Sequence, residues 1–116
     1  MSELKELESI IREFAEARDW SQFHSPKNLS MALAVEAAEL LEHFQWLTAE
    51  ESNNLSAEKV RAVSHEIADV MVYLIRLADL LGVNIKEAMI EKIQINEAKY
   101  PVDRVHGSAK KYTEYP

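Results

Sequence analysis

Residues 29–47 read LSMALAVEAAELLEHFQWL, and apolar side chains fall on nearly every side of the helix this stretch predicts. A helix that is apolar all round is normally buried, in a bundle core or at an interface between subunits. Working outward, residues 48–56 form a polar connector. A long helix is then predicted over 57–81, with Val60, Val63, Ile67, Val70, Leu74, Leu77 and Leu81 as its apolar seam. Gly82 suits the left-handed residue that ends such a helix. A further helix over 84–99 carries Ile85, Ala88, Met89, Lys92, Ile93 and Asn96, and Pro101 stops it. On the N-terminal side, Leu4, Leu7, Ile10, Ile11 and Phe14 recur at helical spacing and predict a helix over 3–18. Residues 18–26 break that period and read as an ordered loop. Pro26 disfavours helix at Ser25, so Asn28 or Ser30 is expected to cap the next element. No stretch alternates at the period of a strand. The expected fold is an all-α bundle of four to five helices, one domain over residues 1–116 with a polar, basic tail from about 101.

A chain of 116 residues buries a smaller share of its surface than a large one, which makes self-association a natural source of extra core. The balance of 20 acidic against 13 basic residues, a charge of −7, argues against a nucleic-acid face, which needs clustered cations. It suits a protein that holds cations. Without cysteine, disulfide frameworks and thiolate zinc sites are excluded. The only glycines are Gly82 and Gly107, so no Gly-rich loop can cradle phosphates with backbone N–H groups. The start, MSELKELESIIREF, is amphipathic and acidic, unlike a secretory signal, and no stretch reaches the ~20 apolar residues of a membrane span. A cytoplasmic protein is expected.

Chemistry is concentrated in four carboxylates. Glu36 and Glu39, and again Glu66 and Asp69, are spaced i, i+3, so each pair shares a helix face. His43 and Trp46 extend the first stripe; Tyr73 and Arg76 extend the second. Most helix carboxylates are solvated or salt-bridged. Here no Lys or Arg occurs between Lys27 and Lys59, nor over residues 62–75, so neither pair has a basic neighbour one turn away. Both interrupt apolar helices, where an uncompensated charge is costly. If the helices pack side by side, the carboxylates repel unless a cation neutralises them. An all-oxygen set suits Mg²⁺, or Mn²⁺. The Glu-x-x-His of di-iron bundles is absent, since Leu40 and Ala62 stand three residues before His43 and His65. The zinc motif His-Glu-x-x-His is absent too. An all-carboxylate Mg²⁺ site most often serves phosphoryl chemistry.

The pattern Glu36-x-x-Glu39, 26 residues, Glu66-x-x-Asp69 resembles the signature of the MazG-like, all-α nucleoside triphosphate pyrophosphohydrolases. The flanks are similar to the dCTP pyrophosphatase branch: Arg18-Asp19-Trp20-x-Gln22-Phe23-His24-x-Pro26-x-Asn28-Leu29, Phe44-Gln45-Trp46, Asp69-Val70-x-x-Tyr73-Leu74, Tyr100-Pro101 and Lys111-Tyr112-Thr113-Glu114. The resemblance covers roughly residues 10–116. It implies that Glu36, Glu39, Glu66 and Asp69 ligate Mg²⁺ and help activate the attacking water. It implies that Trp20, Ser21, Gln22, Phe23, His24, Trp46 and Tyr73 surround base and sugar, although apart from the resemblance Trp20 and Trp46 read rather as core or interface packing. It implies a homotetramer, and cleavage of dCTP or a modified dCTP to monophosphate and pyrophosphate.

One departure stands out. Family members place a substrate-contacting His on the first helix, where this chain has Ile11. For the phosphates, Lys92 and Asn96 share a helical face, and Lys110 or Lys111 in the tail offers further charge; solvated surface lysines are the competing reading. Lys27 is a weaker candidate. The alternatives are a pyrophosphohydrolase of broad or different base preference, and a non-catalytic nucleotide-binding helical oligomer.

Overall fold

The structure is a computed structural model and describes residues 2–115. The described residues contain six α-helices and no strand, as the hydrophobic periodicity requires. Two compact units divide the chain, Met1–Val83 and Asn84–Pro116.

In the first unit, α1 spans Glu3–Ala17, α2 Pro26–Glu42, α3 Ala49–Ser52 and α4 Ala57–Leu81. Helix α4 is the central element and packs against both α2 and α1. Each helix starts on a hydroxyl that accepts a backbone N–H three residues on: Ser2, Ser25, Thr48 and Ser56. Such caps satisfy donors that the helix itself leaves unpaired. Ser25, rather than Asn28 or Ser30, caps α2, because Pro26 fits the first helical position, where no N–H is needed. The polar connector is partly helical. Thr48 and Glu51 form a reciprocal capping box that nucleates the single turn of α3.

Helix α2 also ends five residues before the predicted boundary. After Glu42 the backbone tightens, and the Leu41 carbonyl accepts from the amides of both Phe44 and Gln45. Phe44, Trp46 and Leu47 therefore sit in a turn. Helix α4 closes as predicted, on Gly82 with φ 69°.

The core of this unit is small: Ala15, Leu29, Val63, Ile75 and Ala78 are buried, together with the guanidinium-bearing Arg76. The predicted seam of α4 is split. Val63 is buried and Val70 and Leu77 are half-buried, whereas Val60, Ile67, Leu74 and Leu81 are exposed. The helix is apolar on two faces, and the packing of α1 and α2 within the first unit covers one of them.

In the second unit, α5 spans Ile85–Lys99, capped by Asn84, and α6 spans Val102–Val105. A 3₁₀ turn follows over Tyr112–Glu114. The tail thus carries two short ordered turns where only a polar segment is predicted. The rings of Tyr100 and Tyr112 meet edge to face, the Tyr100 hydroxyl accepts the Tyr112 amide, and Lys99 lies over the Tyr112 ring.

Candidate metal centre

Helices α2 and α4 bring their carboxylates together. Glu36, Glu39 and Glu66 each offer an oxygen within 4.8 Å of the others, and all three residues are half-buried. Asp69 is exposed and outside this triplet, yet its charge still acts on Glu36. One oxygen of Glu36 and one of Glu66, Oε2 in each, are buried with no hydrogen-bond partner. Buried acceptors without donors are costly and uncommon in native proteins. The Glu36 carboxyl is accordingly pushed up to about 6, by burial first, then by its contact with Glu39 and the charges of Glu39, Asp69 and Glu66. Three converging carboxylates with unsatisfied oxygens fit a hard divalent cation, which supplies the positive charge that the oxygens lack. His43, just past the end of α2, places Nε2 3.9 Å from Glu66 Oε1, beside the cluster as its stripe suggested.

A second arrangement lies where α1 meets α4. The chain leaves α1 through Asp19, at φ 55°; this left-handed conformation is rare for most residues but tolerated by Asp and Asn. The turn is pinned by Trp20 N–H donating to the Ala15 carbonyl, and by the Gln22 side chain donating to Asp19. The Trp20 ring meets Phe14 edge to face and remains 44 % exposed. Ser21–Phe23 form a 3₁₀ turn, and the Asn28 side chain closes it by donating to the Phe23 carbonyl.

Arg76, only 4 % exposed, reaches this turn from α4. Its Nε donates to His24 Nδ1 at 3.2 Å and its Nη2 to Ser21 Oγ at 3.2 Å. Asp79, one turn further along α4, accepts from Arg76 Nη1 at 3.5 Å and from Arg12 at 3.0 and 2.7 Å. The Arg12 guanidinium holds the Asp79 carboxyl below its ordinary value. Burial, then the charge of Arg76, lowers His24.

The structure thus joins Glu36, Glu39 and Glu66 directly, with Asp69 in their field, and joins Ser21 and His24 through Arg76. Gln22 is tied to Asp19. Phe23 is exposed and Tyr73 half-buried. Trp46 is 87 % exposed, so core packing within the first unit does not account for it. Lys92, Asn96 and Lys111 belong to the second unit and are exposed. The sequence placed Arg76 on the carboxylate stripe without a role. Arg12 and Asp79 carried no signal, because their pairing depends on how α1 packs on α4.

A family model described as the MazG-like family matches residues 31–115. Human dCTP pyrophosphatase 1 is 40% identical over 115 residues, covering 97% of this chain and 68% of that protein. The rat dCTP pyrophosphatase 1 is 43% identical over the same coverage. Among solved structures, a pyrophosphatase from Archaeoglobus fulgidus superposes with a TM-score of 0.82 at 41% identity, covering 87% of this chain and 94% of that one.

Proposed function

The chain belongs to the MazG-like family, and from that premise we propose that it hydrolyses a nucleoside triphosphate, dCTP or a modified dCTP in preference, to monophosphate and pyrophosphate. The observation that carries the reading is the triplet Glu36, Glu39 and Glu66 with its partnerless buried oxygens. The names of the curated relatives support the nucleotide and the bond cleaved. Family model and relatives both run across the boundary between the two compact units, which supports one functional domain over the whole chain.

Glu36, Glu39, Glu66 and Asp69 would hold Mg²⁺, with Mn²⁺ as a substitute. When bound, the cation supplies charge for the triphosphate oxygens and makes water a better nucleophile. Water attacks the α-phosphorus, the bond to the β-phosphate's bridging oxygen breaks, and pyrophosphate leaves. A carboxylate of the cluster not engaged by the cation accepts the proton of the attacking water. Trp20, Ser21, Gln22, Phe23, His24, Trp46 and Tyr73 would enclose base and sugar, since aromatic faces stack on bases while polar side chains read their edges. Lys92 and Lys111 would offset the charge of the phosphates, and the Asn96 amide would donate a hydrogen bond to them. Ile11, where family members carry His, favours a second reading in which base preference differs from dCTP.

The net charge of −7 supports a mononucleotide rather than a nucleic-acid polymer as substrate. No helix among the described residues is long and apolar enough to cross a membrane. The outward seam of α4 supports self-association, and the proposal includes a homotetramer acting in the cytoplasm. Glu39→Ala tests the catalytic reading. Turnover of dCTP is expected to fall at least about a hundredfold while the circular-dichroism spectrum is retained, the range seen when one catalytic group is removed. Retained turnover would show that the carboxylates are not the catalytic centre.

A further inference from the structure

Arg76 is the one buried charged residue among those described, and the hydrolytic chemistry above makes no use of it. Arginine has five N–H donors and no acceptor. Whatever it hydrogen-bonds must therefore offer a lone pair. Its Nε meets His24 Nδ1, and its Nη2 meets Ser21 Oγ, both at 3.2 Å. An imidazole whose Nδ1 accepts carries no proton there; it is neutral, and its one proton sits on Nε2. A serine whose oxygen accepts has its own O–H turned to another partner.

We propose that Arg76 is a positioning residue that fixes His24 as the Nε2–H tautomer and polarises Ser21 in the same sense, so that the turn at residues 21–24 presents hydrogen-bond donors to acceptor atoms on the nucleotide. This rests on the pyrophosphohydrolase reading for its substrate, but the tautomer itself does not.

The support for Arg76 is built into the fold. Glu8 and Asp79 both accept from Arg12, and Asp79 also accepts from Arg76. The chain of charges Glu8, Arg12, Asp79, Arg76 ties α1 to α4 and ends at His24 and Ser21. The guanidinium offers donors and no acceptor, so the polarity it imposes runs in one direction only. Burial and the adjacent positive charge also disfavour a second proton on His24. Along α4, Arg76 lies seven residues beyond Asp69, which places it on nearly the same face about 10 Å further along the axis. One helix face thus carries both a cation ligand and the residue that orients the turn.

The test combines a spectroscopic and a kinetic readout. In long-range ¹H–¹⁵N spectra of the full chain, the imidazole of His24, assigned by its absence in His24→Gln, is expected to show the Nε2–H pattern alone. In Arg76→Met the pattern is expected to shift toward mixed tautomers. If Arg76→Met fails to fold, Arg76→Lys, which keeps the charge but loses the fork, is expected to show the same shift. With dCTP, Arg76→Met is expected to raise KM about tenfold, the loss of one ordinary hydrogen bond, with kcat changed less than about twofold. His24→Gln, whose amide N–H₂ stands near the place of Nε2, is expected to keep KM closer to wild type than His24→Asn.

An unchanged His24 tautomer in the Arg76 variants overturns the proposal, whatever the kinetics. A tautomer shift with unchanged KM overturns its substrate half. Should no nucleotide be turned over by the wild-type protein, the pyrophosphohydrolase reading falls while the spectra still decide the role of Arg76.

Discussion

Glu36 concentrates the electrostatic conflict of the site. Its carboxyl stands at about 6 against an ordinary 4.5, so the folded chain binds that proton more tightly than the unfolded one. The stability this contributes is fully present below about pH 4.5 and is lost as pH rises through about 6. A divalent cation reverses the balance, because it binds the ionised form. The rise in melting temperature caused by Mg²⁺ relative to EDTA is therefore expected to be small at about pH 5 and to grow severalfold by about pH 7.5. Scanning fluorimetry across that interval checks it. In Glu36→Gln the metal-free protein is expected to lose less stability above pH 6. An Mg²⁺ shift independent of pH would argue that Glu36 is not a ligand. That Glu36, Glu39 and Glu66 converge was legible in the sequence because no lysine or arginine lay within a turn of them. The bond between Arg76 and His24 was not, since 52 residues separate them and only the packing of the loop on α4 creates it.

Among the elements, α4 was read most accurately. Ser56 and Gly82 mark its ends, and both do so through local chemistry that a sequence displays: a hydroxyl cap and a left-handed closing residue. The end of α2 was misread for the opposite reason. Phe44, Trp46 and Leu47 continue the apolar pattern, but the backbone after Glu42 turns, and periodicity cannot distinguish an apolar turn from an apolar helix. The seam of α4 was found in sequence as a single stripe, and the structure divides it. Val60, Ile67, Leu74 and Leu81 recur every seven residues and all lie exposed, with Met71 beside them. A seven-residue apolar repeat on a free helix face is the pattern by which helices pair. If the proposed tetramer uses this face, the protein sediments at about four times the 13.3 kDa chain mass, and replacing Leu74 by Glu is expected to move it toward smaller species in sedimentation velocity, with helicity retained. An unchanged mass would place the subunit contacts elsewhere.

At the scale of the whole molecule, a chain with a small core places four carboxylates on two packed helices and a polar turn against the same central helix. All-α architecture follows from composition and period, whereas the division into two compact units was not visible, because nothing in the residues around Val83 and Asn84 breaks the helical spacing by more than an ordinary connector. On the proposed function, this arrangement cleaves between the α- and β-phosphates. The most direct test of that cleavage is ³¹P NMR of the products formed from dCTP in ¹⁸O-enriched water, with Mg²⁺ and again with EDTA. Deoxycytidine monophosphate carrying the ¹⁸O, unlabelled pyrophosphate, and no reaction in EDTA are the expected result. Label in pyrophosphate or in inorganic phosphate, or no turnover of any nucleoside triphosphate with Mg²⁺ present, would contradict it.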